Sequence, residues 1–259
     1  ALKSRLFKGR GAVLSVPAAG TFVQPVKIAP GAEKDLGKAV AGQLRDKLPW
    51  PASEAVIRHL PATTVYGNEG RMEERIVVAI ARPVVEMYLR MAGRAGLEVA
   101  GVSVEACAIA QCFARVLRRD SDRDRLLLFL DMGSSSTQVV VNQAQTMVFA
   151  RNIAVGGKTL DDEIARQMGI PAASARALRG NLGAAATGAA AEDELYRLLG
   201  GKIDEIAWEV SKCLRYCESL MGGKTVESVV FVGGHGHDKR MCQAIAERLG
   251  LPAKVGDPM

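Results

Sequence analysis

A run of small and polar residues, Asp131–Thr137 (DMGSSST), follows the apolar run Leu126–Leu130 and precedes a second β-branched run. The glycine in this run has no Cβ to hold a phosphate away from the backbone, and successive serine amides can form an anion-binding nest. Asp131 could hold a water of a bound Mg²⁺, which usually keeps several waters and takes few protein ligands. Ser134 and Thr137 add hydroxyl donors. The pattern predicts a phosphate-binding turn, and a hairpin turn with polar residues is the alternative.

A second glycine-marked turn, Phe231–Gly236 (FVGGHG), overlaps the end of the predicted strand 228–232 and precedes a helical pattern. Its paired glycines, Gly233 and Gly234, let the backbone approach a nucleotide closely, and a helix start offers free N–H groups. Alone, such glycines often only relieve crowding between a strand and a helix. Two turns of this kind, roughly a hundred residues apart and each at a strand end, fit a nucleotide held in a cleft between two lobes.

Other titratable residues near these turns each have an ordinary structural explanation. Glu105 could orient a water, but it also opens a predicted helix, where a carboxylate suits the positive end of the helix dipole. Lys158 could reach a phosphate or be solvated, and His235 could touch a ribose or cap a turn. No Ser-His-Asp set, pair of catalytic carboxylates or Cys-His pair can be defended at any spacing. The sequence therefore predicts binding and gives no sign of vigorous catalysis.

The elements that must position these turns alternate along the chain. Apolar and β-branched runs bounded by Gly and Pro predict strands, and apolar residues that recur every three or four positions predict helices. The predicted strands are 12–16, 22–28, 63–66, 75–81, 97–104, 126–130, 138–142, 147–153, 228–232 and 253–255, and the predicted helices are 36–48, 83–95, 105–117, 159–167, 202–221 and 239–249. Residues 180–191, rich in Ala and Gly, predict a flexible connection or a small peripheral element. The alternation predicts an α/β fold.

Composition narrows the class of protein. The chain has 34 Lys and Arg against 28 Asp and Glu, a net charge of +6, and only 5% aromatic residues. That is few for a protein that stacks single-stranded bases on its rings, so we do not expect a nucleic-acid partner. The densest basic group lies within 115–125 and is interleaved with aspartates. It predicts a solvated loop, with contact to anionic lipid or nucleic acid as the lesser alternative.

Cysteine usage and hydropathy bear on the cellular compartment. The 5 cysteines show no disulfide rhythm, and no His or carboxylate pattern completes a zinc site with them. No apolar run approaches the ~20 residues of a membrane span, and no signal peptide opens the sequence. We therefore expect buried free thiols in a reducing compartment, and a cytoplasmic protein.

Several segments resemble the PilM family of type IV pilus assembly proteins, whose architecture is similar to that of FtsA and of the cytoplasmic part of GspL. DMGSSST followed by FARNIAVGGKTLDDEIA resembles the family's entry into its second lobe. WEVSKCLRYCESL resembles its long helix, SVVFVGGHG its adenosine loop, and AERLGLPAKVGDP its closing helix and strand. Upstream, DKLPWP and GLEVAGVSVEACAIAQ are similar to a helix end and to the segment that connects the lobes. The resemblance covers nearly the whole chain, with the segments in the family's order.

The resemblance implies an actin-like (ribonuclease H-like) two-lobed fold that binds ATP with Mg²⁺ and docks an N-terminal peptide of the membrane protein PilN. It implies a first lobe at 1–125 with an inserted partner-binding subdomain near 12–101, a second lobe at 126–227, and a closing segment at 228–259. The residues implied to hold phosphates and metal are Asp131, Gly133, Ser134, Ser135, Ser136 and Thr137. Gly156, Gly157 and Lys158 are implied to lie at the second-lobe helix that faces the nucleotide, and Gly233 and Gly234 to approach the adenosine.

Two departures from the family accompany the resemblance. The family begins with an Asp-containing hairpin that supplies a first phosphate loop, and this sequence starts downstream of it. The hairpin therefore either precedes Ala1 or is absent. The family also often has Glu and Lys on the helix near 175–179, where Arg176 and Arg179 stand here, so the adenosine contacts of that helix stay open.

The function implied is a cytoplasmic scaffold of pilus assembly, peripheral at the inner membrane through its partners. Nucleotide binding would set the angle between the lobes and thereby the strength of partner docking. We expect at most a weak ATPase, and a homo-oligomer is left open. The alternatives are a cytoplasmic actin-like component of a type II secretion system and a sugar-kinase-like phosphotransferase. The phosphotransferase would need a catalytic base that the sequence does not identify.

Overall fold

The computed structural model describes residues 9–28, 42–44, 47–67, 70–114, 117, 119, 122–182 and 188–256. The described strands are β1 (Gly11–Val16), β2 (Phe22–Ile28), β3 (Ala55–Gly67), β4 (Gly70–Ala81), β5 (Glu98–Val104), β6 (Leu126–Met132), β7 (Thr137–Gln143), β8 (Thr146–Ile153), β9 (Ser228–Val232) and β10 (Ala253–Val255). The described helices are α1 (Arg82–Arg94), α2 (Glu105–Ala114), α3 (Gly157–Met168), α4 (Ala172–Gly180), α5 (Ala189–Leu220) and α6 (Lys239–Leu249).

A five-stranded sheet with the order β10-β9-β6-β7-β8 forms the centre of the second half of the chain. β6, β7 and β8 are an antiparallel meander, which confirms the meander predicted from the sequence. β9 returns parallel to β6, and β10 lies parallel to β9. Because β6 and β9 are parallel neighbours, their carboxyl ends meet at one edge of the sheet. Both glycine-marked turns begin at that edge.

The two faces of the central sheet are covered by different helices, and β6 shows why the strand is apolar throughout. Leu126, Leu128 and Leu130 belong to the core formed with α3, α5 and α6. Leu127 and Phe129 belong to a second core on the opposite face, where the rings of Phe129 and Phe113 of α2 stack with centroids 4.8 Å apart. A strand buried on both faces needs consecutive apolar residues, and a half-exposed strand needs only alternating ones.

The first half of the chain contains two smaller sheets. β1 and β5 form a parallel pair, and β2, β4 and β3 form an antiparallel sheet in the order β2-β4-β3. β3 and β4 are longer than the predicted strands 63–66 and 75–81. The ladder crosses Pro61 by a register shift between Pro61 and Thr63, so the proline does not end the strand. The predicted helix 36–48 lies mostly outside the described residues, of which 42–44 are helical.

Buried polar contacts tie the small sheets to the second half. The Asn152 side chain on β8 donates to the carbonyls of Ala18 and Thr21, at 2.8 and 3.2 Å. The Tyr216 hydroxyl on α5 donates to the carboxylate of Glu74 on β4 at 2.7 Å. Glu74 is only 1% exposed. These contacts hold the turn before β2 against β8, and β4 against α5.

Two parts of the second half differ from the sequence prediction. α5 begins at Ala189, 13 residues before the predicted start at 202, because Gly200 and Gly201 interrupt the apolar pattern without ending the helix. The prediction of a connection or small element at 180–191 is therefore wrong over 189–191, and residues 183–187 lie outside the described part. α4 was indicated only through the family resemblance. The cysteines are free thiols, but burial was expected for all of them and holds only for Cys213, Cys217 and Cys242, since Cys107 is half-buried and Cys112 is exposed. Over the described ranges, no helix is long and apolar enough to cross a membrane.

Candidate functional site

The loop after β6 is a closed turn with two free, exposed amides. Its ends are joined by the Gly133 amide, which donates to the Ser136 carbonyl at 3.0 Å. Ser134 and Ser135 are exposed, and within the described residues neither of their amides donates a hydrogen bond. Consecutive unpaired amides at a small-residue turn form a concave site for an anion.

Ser136 and Thr137, the last two residues of the loop, pack against the rest of the protein. The Thr137 hydroxyl is fully buried and donates to the Val155 carbonyl at 2.8 Å, which fastens β7 to the segment before α3. The Ser136 nitrogen lies against Gly156, where a Cβ would approach it to 2.5 Å. The structure therefore assigns the open face of the loop to Ser134 and Ser135, and places Ser136 and Thr137 at its base.

The start of α3 packs directly beneath this loop. Gly157 donates its amide to the Gly133 carbonyl at 3.0 Å, and Lys158 donates its amide to the Ser134 carbonyl at 2.7 Å. A Cβ on Gly156 would come within 2.9 Å of the Gly133 carbonyl oxygen, so glycine is needed for this close approach. The first-turn amides of α3 are used to hold the loop, and the Lys158 side chain is exposed. The positive end of the helix dipole points into the loop.

The turn after β9 lies against the end of β6. A Cβ on Gly233 would overlap Oδ1 of Asp131, and Gly233 has a left-handed backbone with φ of +78°. Gly234 is exposed, with open space where a Cβ would be. The His235 amide donates to the Met132 carbonyl at 3.3 Å. The structure thus brings all three predicted glycine segments, at 133, 156–157 and 233–234, into one continuous site.

Asp131 is an electrostatically unusual carboxylate. Burial, and then the nearby charge of Glu105, raise its pKa to about 6. No described group donates a hydrogen bond to it. Both carboxylates line a cavity of about 690 Å³ between α2 and the end of β9, whose walls include Ile109 and Phe113. A partly buried carboxylate without a donor is suited to a cation, and Mg²⁺ needs only one or two such protein ligands. The described residues hold no cluster of three or more His, Cys, Asp or Glu arranged for a metal.

Glu105 is held by the turn between β1 and β2. Its Oε2 accepts the backbone N–H of Ala18 at 2.6 Å. The sequence predicted Glu105 to be a first-turn carboxylate of a helix, with orientation of a water as the alternative, and α2 does begin there. The contact with Ala18 could not be predicted because 87 residues separate the partners. It connects the cavity to the first half of the chain.

An ion pair and a histidine fill the space beside the start of α3. Arg179 on α4 donates Nε–H to Asp161 Oδ1 at 2.6 Å and Nη1–H to His235 Nδ1 at 3.0 Å. Burial, and then the charge of Arg179, lower the pKa of His235. A Cβ on Gly157 would overlap Nε2 of His235. Sequence reasoning left Arg179 and His235 as open questions about adenosine contacts, and the structure joins them to each other.

The α/β layers, with two glycine turns meeting at the carboxyl edge of the central sheet, define a protein of the actin-like class, as predicted. The chain belongs to the family described as type IV pilus assembly protein PilM, whose model matches residues 2–259. Its fold is similar to the solved structure titled "PilM-PilN type IV pilus biogenesis complex", with a TM-score of 0.77, 20% identity, and coverage of 99% of this chain and 72% of that one.

Two further solved structures show weaker similarity. MreB5 of Spiroplasma citri bound to ADP has a TM-score of 0.49 and 16% identity, covering 67% of this chain and 60% of that one. The ethanolamine utilization protein EutJ from Carboxydothermus hydrogenoformans has a TM-score of 0.47 and 20% identity, covering 62% and 51%.

Proposed function

We propose that this chain is a nucleotide-binding scaffold of type IV pilus assembly that docks a PilN-type peptide. The observation that carries the nucleotide part is the convergence of the three glycine segments around the free amides of Ser134 and Ser135. Membership of the PilM family supports the assembly role. The similar structure that contains PilN supports a PilN-type partner. Through such a partner the protein would work at the inner membrane.

The nucleotide in this proposal is ATP with Mg²⁺. The amides of Ser134 and Ser135 would bind a phosphate, and Gly133 and Gly156 would allow the backbone to approach it. Asp131 would hold a water molecule bound to the Mg²⁺. The positive charge of the Mg²⁺ would offset the negative charge of the phosphates. Gly234, exposed and open, would lie beside the nucleoside together with Gly233. Lys158 is exposed at the start of α3, and its ammonium group would add a positive charge near the phosphates.

A chain of contacts could couple the cleft to a partner surface in the proposed subdomain 12–101. Asp131 faces Glu105, which binds the Ala18 amide in the turn that leads into β2. A cation that neutralises these carboxylates changes the charge on the group holding that turn. The same part of the chain presents two exposed apolar side chains one helical turn apart, Met87 (43%) and Met91 (57%) on α1. Exposed apolar groups of this kind suit a docked peptide.

The geometry favours binding over phosphoryl transfer. A sugar-kinase-like enzyme needs a base within reach of an acceptor hydroxyl. Glu105 is already occupied by the Ala18 N–H, and Asp131 is the carboxylate that the proposal assigns to the cation. We therefore propose at most slow hydrolysis, with nucleotide binding acting on docking strength as a coupling of two equilibria.

The test is the binding of a fluorescently labelled PilN-type N-terminal peptide, followed by anisotropy with and without Mg·ATP. The proposal predicts specific binding relative to a scrambled peptide and an affinity that Mg·ATP changes by about fivefold or more. The Asp131→Asn variant should bind the peptide and lose the response to Mg·ATP. Equal binding of the PilN-type and scrambled peptides would contradict the docking role.

A further inference from the structure

The side chain of Arg179 joins three elements around the nucleotide cleft. Its guanidinium donates to Asp161 on α3 at 2.6 Å, to His235 in the turn after β9 at 3.0 Å, and to the Gly157 carbonyl at 3.3 Å. Both side chains of the Arg179–Asp161 pair are more than nine-tenths buried, at 8% and 9% exposed. The ion pair is therefore a fixed support, and His235 is the group that it holds.

The hydrogen bond between Arg179 and His235 determines the protonation state of the histidine. A guanidinium has donors and no acceptor, so Nδ1 of His235 must accept the hydrogen bond from Arg179. The ring is then neutral, with its proton on Nε2. Burial and the charge of Arg179 lower the pKa of His235, which favours the same neutral state.

The other end of the ring fills the space beside the phosphate loop. Nε2 and Cε1 of His235 lie against Gly157, so that a Cβ at this position would overlap Nε2 and reach Cε1 at 2.9 Å. The Gly157 amide in turn donates to the Gly133 carbonyl. The ring therefore lies between the start of α3 and the turn at 233–236, next to the loop that offers free amides. In the proposed function the nucleoside lies beside Gly233 and Gly234, in the same turn as this ring.

We propose that His235, held by Arg179, is a gate at the nucleoside end of the cleft, which a nucleotide must displace and a bare phosphate need not. The inference rests on the proposed nucleotide function and assigns the ring a positioning role within it. The closed form is stabilised by one hydrogen bond to Arg179 and by packing on Gly157. Ligand affinity is reduced by the fraction of molecules in which the gate is open.

The experiment is calorimetric titration of the full chain with Mg·ADP and, separately, with Mg·pyrophosphate. His235→Asn keeps an acceptor where Nδ1 lies and removes the end of the ring that rests on Gly157. His235→Ala removes both. Each variant should bind Mg·ADP about tenfold or more tightly than the parent. The affinity of both variants for Mg·pyrophosphate should stay unchanged. The control is His59→Ala, which replaces a histidine of the three-stranded sheet and should bind both ligands as the parent does.

The two ligands separate the gate from the site itself. Weaker Mg·ADP binding with unchanged pyrophosphate binding would make the ring a ligand contact and would overturn the gate while leaving the nucleotide site standing. Equal changes for both ligands would also overturn the gate, because the ring would then act on the phosphate loop. Absence of binding of either ligand to parent and variants alike would overturn both proposals. If His235→Ala does not fold, His235→Asn carries the test.

Discussion

Gly233 lies directly against the carboxylate of Asp131, so closely that a Cβ on residue 233 would overlap Oδ1. The two residues follow from neighbouring parallel strands, since Asp131 pairs with Val232 in the sheet. Gly233 also has φ of +78°, a conformation that side chains with a Cβ rarely adopt. This contact makes one site out of two turns that the sequence shows only separately.

Gly233→Ala should therefore lower the free energy of unfolding by about 2 kcal/mol or more, because a Cβ brings both backbone strain and overlap with Asp131. Urea unfolding followed by circular dichroism measures the change. Gly234→Ala, in the same turn with open space at its Cβ, is the matched control and should change stability by less than about 0.5 kcal/mol. Equal effects of the two substitutions would contradict the contact.

Asp131→Asn should stabilise the protein above pH 6 while weakening Mg·ATP binding. The pKa of Asp131 is raised from 3.8 to about 6 in the fold. Its stabilising contribution is therefore complete below pH 3.8 and is lost as the pH rises through 6. Because the carboxylate is partly exposed and screened by solvent, we expect a gain of about 1 kcal/mol at pH 8. Thermal unfolding of both proteins at pH 5 and pH 8 measures it.

Asp162→Asn provides the control for that experiment. Asp162 is exposed on α3, so its replacement relieves no buried charge and should not stabilise the protein. An Asp131→Asn variant that is less stable than the parent at pH 8 would show that the carboxylate supports the fold and is not held there for a ligand.

Gly157→Ala should be destabilising alone and much less so beside His235→Asn. The added Cβ overlaps Nε2 of His235, and overpacking of this kind typically costs about 1–3 kcal/mol. Asparagine lacks the colliding atom, so a double-mutant cycle should give a coupling energy of about 1 kcal/mol or more. Gly201→Ala, in α5 with open space around it, should be neutral or stabilising. Additive effects of the two substitutions would contradict the packing of His235 on Gly157.

Tyr216→Phe should destabilise the protein more at pH 8 than at pH 5. The hydroxyl donates to Glu74 at 2.7 Å, and the other carboxylate oxygen has no partner among the described residues. Burial raises the pKa of Glu74, and the Tyr216 hydrogen bond partly opposes this. Without the hydroxyl, the pKa rises further, so more stability is lost as the pH rises.

The expected loss from Tyr216→Phe at pH 8 is about 1–3 kcal/mol, the usual cost of leaving a buried polar group unpaired. Thermal unfolding at both pH values measures it. Tyr88→Phe on α1 is the control, since no hydrogen bond of the Tyr88 hydroxyl is found in the described part of the chain. A loss that is the same at both pH values would mean that Glu74 does not titrate in this range.

The central sheet and its turns could be predicted because their signals are local. Leu126–Leu130 is apolar on both faces, and the small residues of DMGSSST mark a turn at the end of that strand. The partners within the site could not be predicted in the same way. Asp161, Arg179 and His235 meet from three elements, and 56 residues separate the last two. Periodicity and turn chemistry describe a residue's neighbours along the chain, and these contacts depend on how helices pack across the sheet.

The predicted lengths of β3 and α5 were wrong because packing overrides the local sequence signal in both elements. Pro61 shortened the predicted strand, but the structure accommodates it at an irregularity of the ladder. Gly200 and Gly201 interrupt the helical pattern, so the first part of α5 was not predicted. Leu195, Leu198 and Leu199 in that part are buried in the core. Burial of that face outweighs the roughly 1 kcal/mol that each glycine costs a helix.

The most direct test of the nucleotide site is calorimetric titration of Mg·ATP into four proteins: the parent, Gly201→Ala, Gly233→Ala and Asp131→Asn. The structure places Gly233 and Asp131 at the contact that joins the turns, and Gly201 at an open position in α5. We predict binding by the parent and by Gly201→Ala, with binding lost or weakened about tenfold or more in the other two proteins. No heat of binding with the parent, or equal affinity in all four proteins, would contradict a nucleotide site built from these turns.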